Sequence, residues 1–263
     1  RKLYGGYTTG TGNATGNEVI LKNTTANIGG QTRVYGGWSE QGNATNNTVT
    51  LAGTNTWGHS LYGGYGNGSG KDFVTGNTLQ VKGKDHYIHD VAHFEKLKFV
   101  LGEDVSSGDT MLKIHATTQN FDWTKIRVDN AATWENNSDG TKRVYLYNGV
   151  IGMTLTNYGT SPVNGTSGNC EYGITTDTST PSGTTVSATK IYFDRNQFQN
   201  ANVKYDTDPS SPALPPASGL YNGAIYGGTS TLGNTTKDNK LTVDGLNLDF
   251  RNLYGGDTQS VAG

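Results

Sequence analysis

The chain is short of most of the residues that announce a function. It has one cysteine, two methionines and six prolines, only 16% of its residues are charged, and no apolar stretch approaches the roughly 20 residues of a membrane-spanning helix. A lone Cys170 cannot close an internal disulfide. That fits the cytosol, and it fits equally a bacterial chain that crosses the periplasm unfolded. Low charge combined with abundant Gly, Asn and Thr favours the second reading. A net charge of −2 and a pI near 6.2 leave no broad basic surface to hold phosphates, so nucleic acid is a poor partner. There is no Ser-centred elbow, no phosphate-binding glycine loop and no Cys/His pairing, so the sequence names no cofactor and no enzyme class. The chain opens on Arg1 without Met or a signal peptide, which reads as a processed or excised piece of something longer.

What the chain has is Gly, 38 residues, and Asn, 26 residues, against an apolar content of 32%. Both types are weak helix formers and ready turn formers, which predicts many short strands joined by many turns. The sequence is also repetitive. Tyr-Gly-Gly occurs at Tyr4, Tyr35, Tyr62, Tyr226 and Tyr254, and in four copies an Asn follows twelve to fifteen residues later, with apolar residues two and four places beyond it. These phrases are Asn17, Val19, Leu21; Asn47, Val49, Leu51; Asn77, Leu79, Val81; and Asn239, Leu241, Val243. Alternation of this kind marks strands with one buried face. The spacing between copies drifts, 31, 27 and 28 residues between successive Tyr, as suits a solenoid with variable loops. Stacked rungs would place equivalent residues about 4.8 Å apart, so the repeated Asn is expected to form a turn or an internal amide ladder.

Between Tyr62 and Tyr226 the phrase disappears. Alternating segments such as Phe94 to Leu101, Asp109 to Ile114, Lys125 to Val128, Val144 to Tyr147 and Lys190 to Phe193 replace it. The expected organisation is therefore all-β: β-helix rungs over 1–85, an inserted β-rich module over 86–219, and rungs again over 220–263. The stretch Asp208 to Pro216, with four prolines, is expected to be a stiff exit linker.

The phrase Tyr35-Gly36-Gly37-Trp38, through Gly42-Asn43-Ala44-Thr45 to Asn47-Thr48-Val49-Thr50-Leu51, resembles the repeats of bacterial autotransporter passenger domains. The run Phe94 to Phe99 followed by Gly108-Asp109-Thr110-Met111-Leu112 is similar to a β module that recurs among such repeats in large surface proteins. The resemblance implies a right-handed parallel β-helix displayed outside a Gram-negative-type cell, at the cell surface beyond the outer membrane, serving adhesion or surface architecture. The membrane barrel of a whole autotransporter is not in this sequence.

Three groups of residues are candidate sites. The position three places after each repeated Tyr carries Tyr7, Trp38 and Tyr65 in the first block. If it faces outward, these aromatics form a strip able to pack on sugar rings or anchor a protein; the plainer reading is packing over neighbouring rungs. His86, His89 and His93 would share a helical face fit for zinc. The Phe94–Phe99 pattern favours a strand or a boundary turn instead, and on a strand His86 and His89 point to opposite faces. Asp104 and Asp109 read as a calcium site or as a solvated turn. An enzyme would need a pair of carboxylates, but Glu18, Glu40, Asp72 and Asp238 sit at four different offsets from their Tyr and form no acidic ladder. The expected function is that of an adhesin or rigid display stalk, without cofactor, whose partner is a host or neighbouring-cell surface protein or glycan. The alternative is a structural subunit stacking end to end into an extracellular filament.

Overall fold

The computed structural model describes residues 1–25, 32–56, 58–117, 119–135, 141–178, 183–205, 224–244 and 252–258. They are organised as a parallel β-solenoid with no α-helix among them; the one helical turn is a 3-10 turn at Trp123–Lys125. None of them forms a helix long and apolar enough to cross a membrane. The linker expected at 208–216 lies outside the described residues. Contacts divide the chain into two units. The first comprises Arg1–Trp134, Val144–Val163 and Ile174–Phe193, and the second Glu135–Arg143, Asn164–Gly173 and Asp194–Gly263.

In the first unit the strands are β1 (Lys2–Thr8), β2 (Glu18–Lys22), β3 (Thr32–Ser39), β4 (Thr48–Ala52), β5 (His59–Gly66), β6 (Thr78–Lys82), β7 (His86–Ala92), β8 (Lys96–Val100), β9 (Thr110–Thr117), β10 (Phe121–Asp122), β11 (Ile126–Asp129) and the long β12 (Thr141–Tyr158), which starts in the second unit. Odd strands stack in the order β1-β3-β5-β7-β9 with β12 following, and β2-β4-β6-β8-β11 stack as a second sheet. Parallel register puts like on like. Val19, Val49, Leu79, Leu97 and Ile126 form one interior column, and Leu21, Leu51, Val81, Phe99 and Val128 another. Opposite them run Leu3, Val34, Leu61 and Val91. Leu51, Leu61, Leu79 and Phe99 have no exposed surface, so each turn hides its apolar pairs only because the next turn covers them.

The corners explain the Gly and Asn content. Gly16, Asn46 and Gly76 occupy one corner and Asn23, Gly53 and Gly83 another; all six have φ between 53° and 86°. This left-handed region is open to Gly and tolerated by Asn, and closed in practice to β-branched residues.

Pairing does not stop where Tyr-Gly-Gly stops. β7 lies parallel on β5, β8 on β6, β9 on β7 and β11 on β8. The boundary drawn at residue 86 therefore does not mark an end of the coil. A turn needs an inward apolar pair, which Leu97/Phe99 and Ile126/Val128 supply, and Tyr-Gly-Gly is one way of filling the opposite strand, not the condition for it. Of the three histidines, His86 and His89 lie in β7, whereas His93 lies just past its end at a bend with φ 63°, where the expected boundary turn is found.

In the second unit, Asn164–Ser167 makes an antiparallel hairpin with the first four residues of Cys170–Thr176, Asn164 opposite Gly173 and Ser167 opposite Cys170. Parallel rungs occur there too: Asn202–Tyr205 pairs with Lys240–Val243, Ala224–Tyr226 with Asn252–Tyr254, and Thr229–Ser230 with Asp257–Thr258. Its interior is more polar. Buried Asp194 receives a two-pronged hydrogen bond from Arg143, 2.6 and 2.8 Å. Buried Glu171 accepts from Ser230 Oγ at 3.0 Å, Leu232 N at 3.1 Å and Asn234 Nδ2 at 2.6 Å, and also from Thr231.

Candidate functional site

In a regular strand residues three apart face opposite ways. Yet the rings of Tyr4 and Tyr7, Tyr35 and Trp38, and Tyr62 and Tyr65 lie 5.1, 5.0 and 5.4 Å apart on one outer face of the first unit. The two glycines between them make this possible by both turning toward the interior. A Cβ on Gly36 would stand 2.9 Å from Asn47 Cβ, and one on Gly37 2.6 Å from Asn47 Nδ2. Gly63 and Gly64 meet Asn77 in the same way, at 2.6 and 2.8 Å. The two halves of the repeated phrase are thus one device, because the glycines vacate the volume that the Asn of the same turn fills.

That Asn forms an internal amide ladder. Asn47 Oδ1 accepts from Asn17 N at 3.0 Å and Asn17 Nδ2 at 2.8 Å, while Asn47 Nδ2 donates to Ala14 O at 3.0 Å and Asn77 Oδ1 at 3.2 Å. Asn77 Oδ1 also accepts from Asn47 N at 2.8 Å. Asn47 and Asn77 are fully buried, so each bond satisfies a group that water cannot reach. A second interior chain runs from Thr24 through Asn55 to His86: Thr24 N and Oγ1 donate to Asn55 Oδ1, and Asn55 Nδ2 meets His86 Nδ1 at 3.1 Å. His86 Nε2 lies 2.8 Å from Lys82 O, which assigns the neutral ring with Nε2 protonated. Burial holds His86, and likewise His59, below the ordinary histidine pKa.

Tyr4, Tyr35 and Tyr62 stack at 5.2 and 5.0 Å with 14° and 20° between planes. Tyr7, Trp38 and Tyr65 share register; Trp38 stacks on Tyr65 at 5.0 Å, and Tyr65 on His93 at 5.4 Å and Phe73 at 6.4 Å. Stacking along the coil spends ring faces on each other and turns edges to solvent. Trp38 is only 7% exposed, whereas Tyr7 is 51% exposed. Lys2 Nζ lies 5.0 Å above the Trp38 ring.

The residue whose role the sequence does not reveal is Glu40. Its Oε1 accepts from Tyr7 Oη at 2.9 Å and Trp38 Nε1 at 3.0 Å, and its Oε2 accepts from Asn67 Nδ2. Those three bonds, the one from Tyr7 first, hold its carboxyl below the usual range, and the same contact raises the Tyr7 phenol. Its only sequence signal was its place two residues after Trp38, just beyond the end of β3. One carboxylate thus clasps three turns, beside an aromatic edge with Tyr7 as its open end.

The other candidates do not converge. His86 faces the core and His89 is half-buried outside it beside Asp90, 3.2 Å from Nδ1 to Oδ2, while His93 Nδ1 bonds Gly64 O at 2.7 Å. Asp109 Oδ2 is taken by Lys84 Nζ and Ser106 N, both at 2.8 Å. Among the described residues no group of three His, Cys, Asp or Glu side chains could hold a metal ion. Comparison with protein-family models, with curated proteins and with solved structures finds no match to this chain.

Proposed function

We propose that this chain is a rigid display element of a bacterial surface protein, working outside the cell as part of an adhesin. The observation that carries the reading is the unbroken parallel register of the five strands β2-β4-β6-β8-β11 in the first unit, with aliphatic columns running through it and an amide ladder through Asn17, Asn47 and Asn77. Such a stack resists bending without needing a disulfide, which suits a chain with a single cysteine. The contact face is the aromatic edge with Glu40, where Tyr7 offers an open ring to a host protein or glycan. Antibody raised against the first unit should label intact producing cells; label that appears only after permeabilisation would overturn the placement. Tyr7→Ala is the probe for the contact face, since Trp38→Ala would open a hole in the stack. Cell or glycan binding unchanged in a folded Tyr7→Ala protein would remove that face from the proposal.

A second reading is end-to-end stacking. Leu3, Tyr7 and Ile20 on β1 and β2 are 46%, 51% and 59% exposed, and Leu253 and Tyr254 on Asn252–Tyr254 are 54% and 38% exposed. A second copy seated strand on strand would cover both sets. A mass that stays monomeric over a wide concentration series would dismiss it.

A further inference from the structure

The repeated tyrosines face one another more regularly than packing alone requires. Three pairs from successive turns, Tyr4–Tyr35, Tyr35–Tyr62 and Tyr226–Tyr254, have ring centroids 5.2, 5.0 and 5.2 Å apart and planes within 14°, 20° and 14° of parallel. Parallel register also pairs their backbones, Tyr4 with Tyr35, Tyr35 with Tyr62 and Tyr226 with Tyr254. Tyr254 is 38% exposed, and Tyr4, Tyr62 and Tyr226 are half-buried; Tyr35 is 2% exposed, so in the first unit an oxidant reaches it only through the rings stacked on it.

We propose that these columns are sites of oxidative cross-linking, in which a one-electron oxidant of the peroxidase and hydrogen peroxide class joins stacked tyrosines of neighbouring turns as dityrosine. An accessible phenol gives one electron to the oxidised peroxidase and its O–H proton to water; buried Tyr35 gives its electron and O–H proton to the phenoxyl radical of Tyr4 or Tyr62 stacked on it, and that phenol is then oxidised a second time. The two phenoxyl radicals carry spin density on the carbons ortho to oxygen and join there by one new Cε–Cε bond. The two ortho hydrogens then move through solvent to the oxygens and restore both aromatic rings. In sum two phenols lose two electrons and two protons, and one hydrogen peroxide takes them up to become two waters. The product staples turns that are 31, 27 and 28 residues apart in the chain, giving the coil covalent ties of a kind that its single cysteine cannot supply.

The protein contains its own control. Tyr145 and Tyr192 are as close, 5.3 Å, but tilted by 59°, and Tyr4 and Tyr7 stand 5.1 Å apart at 57°. The full chain is treated with peroxidase and limiting peroxide, digested, and searched by mass spectrometry for joined tyrosine peptides two hydrogens lighter than their sum. The expected result is that the three stacked pairs predominate several-fold over the tilted pairs, and that the preference vanishes when the chain is unfolded in urea before treatment. Tyr35→Phe, which keeps the ring stack, should abolish both links in the first unit and leave Tyr226–Tyr254 unchanged. Links between tilted pairs as abundant as those between stacked pairs, or no links within the folded chain, would overturn the proposal.

Discussion

Replacing Asn47 with Ala should be among the most damaging single changes available to the first unit. The side chain is fully buried and takes part in four hydrogen bonds, two accepted from Asn17 and one donated to each of Ala14 O and Asn77 Oδ1. At about 1 kcal/mol net for each bond, the loss is about 4 kcal/mol. Counting what is left behind gives a similar figure: the Ala14 carbonyl and the Asn17 amide lose a partner, at about 1–3 kcal/mol each. With a urea slope of about 2 kcal/mol/M, the unfolding midpoint read by tryptophan fluorescence should fall by about 2 M. Asn13→Ala is the matched control. Its Oδ1 accepts from Asn43 N at 2.9 Å in the same ladder style but at the exposed surface, so its loss should cost under about 1 kcal/mol. If the two substitutions moved the midpoint equally, the claim that the interior amides carry the stack would be refuted.

The glycine–asparagine device predicts that Gly37→Ala is destabilising by about 2 kcal/mol or more through overpacking against Asn47, while Gly10→Ala, with no atom within 4 Å of the added carbon, is near neutral; paired urea titrations decide it. His59 and His86 are held neutral by burial, so their folded pKa values lie below the unfolded value of about 6.5. Stability should therefore be level above that pH and fall beneath it, by up to about 1.4 kcal/mol per pH unit for each ring until the folded pKa is passed. A midpoint unchanged between about pH 7.5 and pH 5 would contradict this. Glu40→Gln should bring the Tyr7 phenol down toward its ordinary pKa, because its largest perturbation is the bond to that carboxylate; ultraviolet titration of the tyrosines compared with a Tyr7→Phe protein would show it, and an unchanged curve would count against the clasp.

The coil was legible because its period is written in residues with distinct jobs. Val, Leu and Asn at fixed offsets announced interior columns, and the structure places Val49, Leu51 and Asn47 in them. The aromatic positions could be named but not oriented. Residues three apart should face apart, and only the inward turn of Gly36 and Gly37 against Asn47 brings Tyr35 and Trp38 together. The turns at β7–β8 and β9–β11 were hidden because Tyr-Gly-Gly gives way there, with Ala92 opposite Tyr62, while the strands keep pairing in parallel through residues such as Ile88 and Ile114. Glu40 stood in the sequence only as one of four acidic residues without a shared offset, because a single acidic residue has no period, and its three partners come from different turns.

The coupling of Gly-Gly to Asn has a consequence for inheritance. Within a turn neither half can drift alone: a side chain added at Gly37 meets Asn47, and a larger residue at 47 meets the glycines. Between turns the constraint disappears, since every Asn offers its neighbours the same donor and acceptor. A whole turn copied or dropped by slippage during replication leaves each surviving contact chemically equivalent to the one it replaces. Such a gene is free to change in length by turns, while within each Tyr-Gly-Gly turn the glycines and the asparagine change only together.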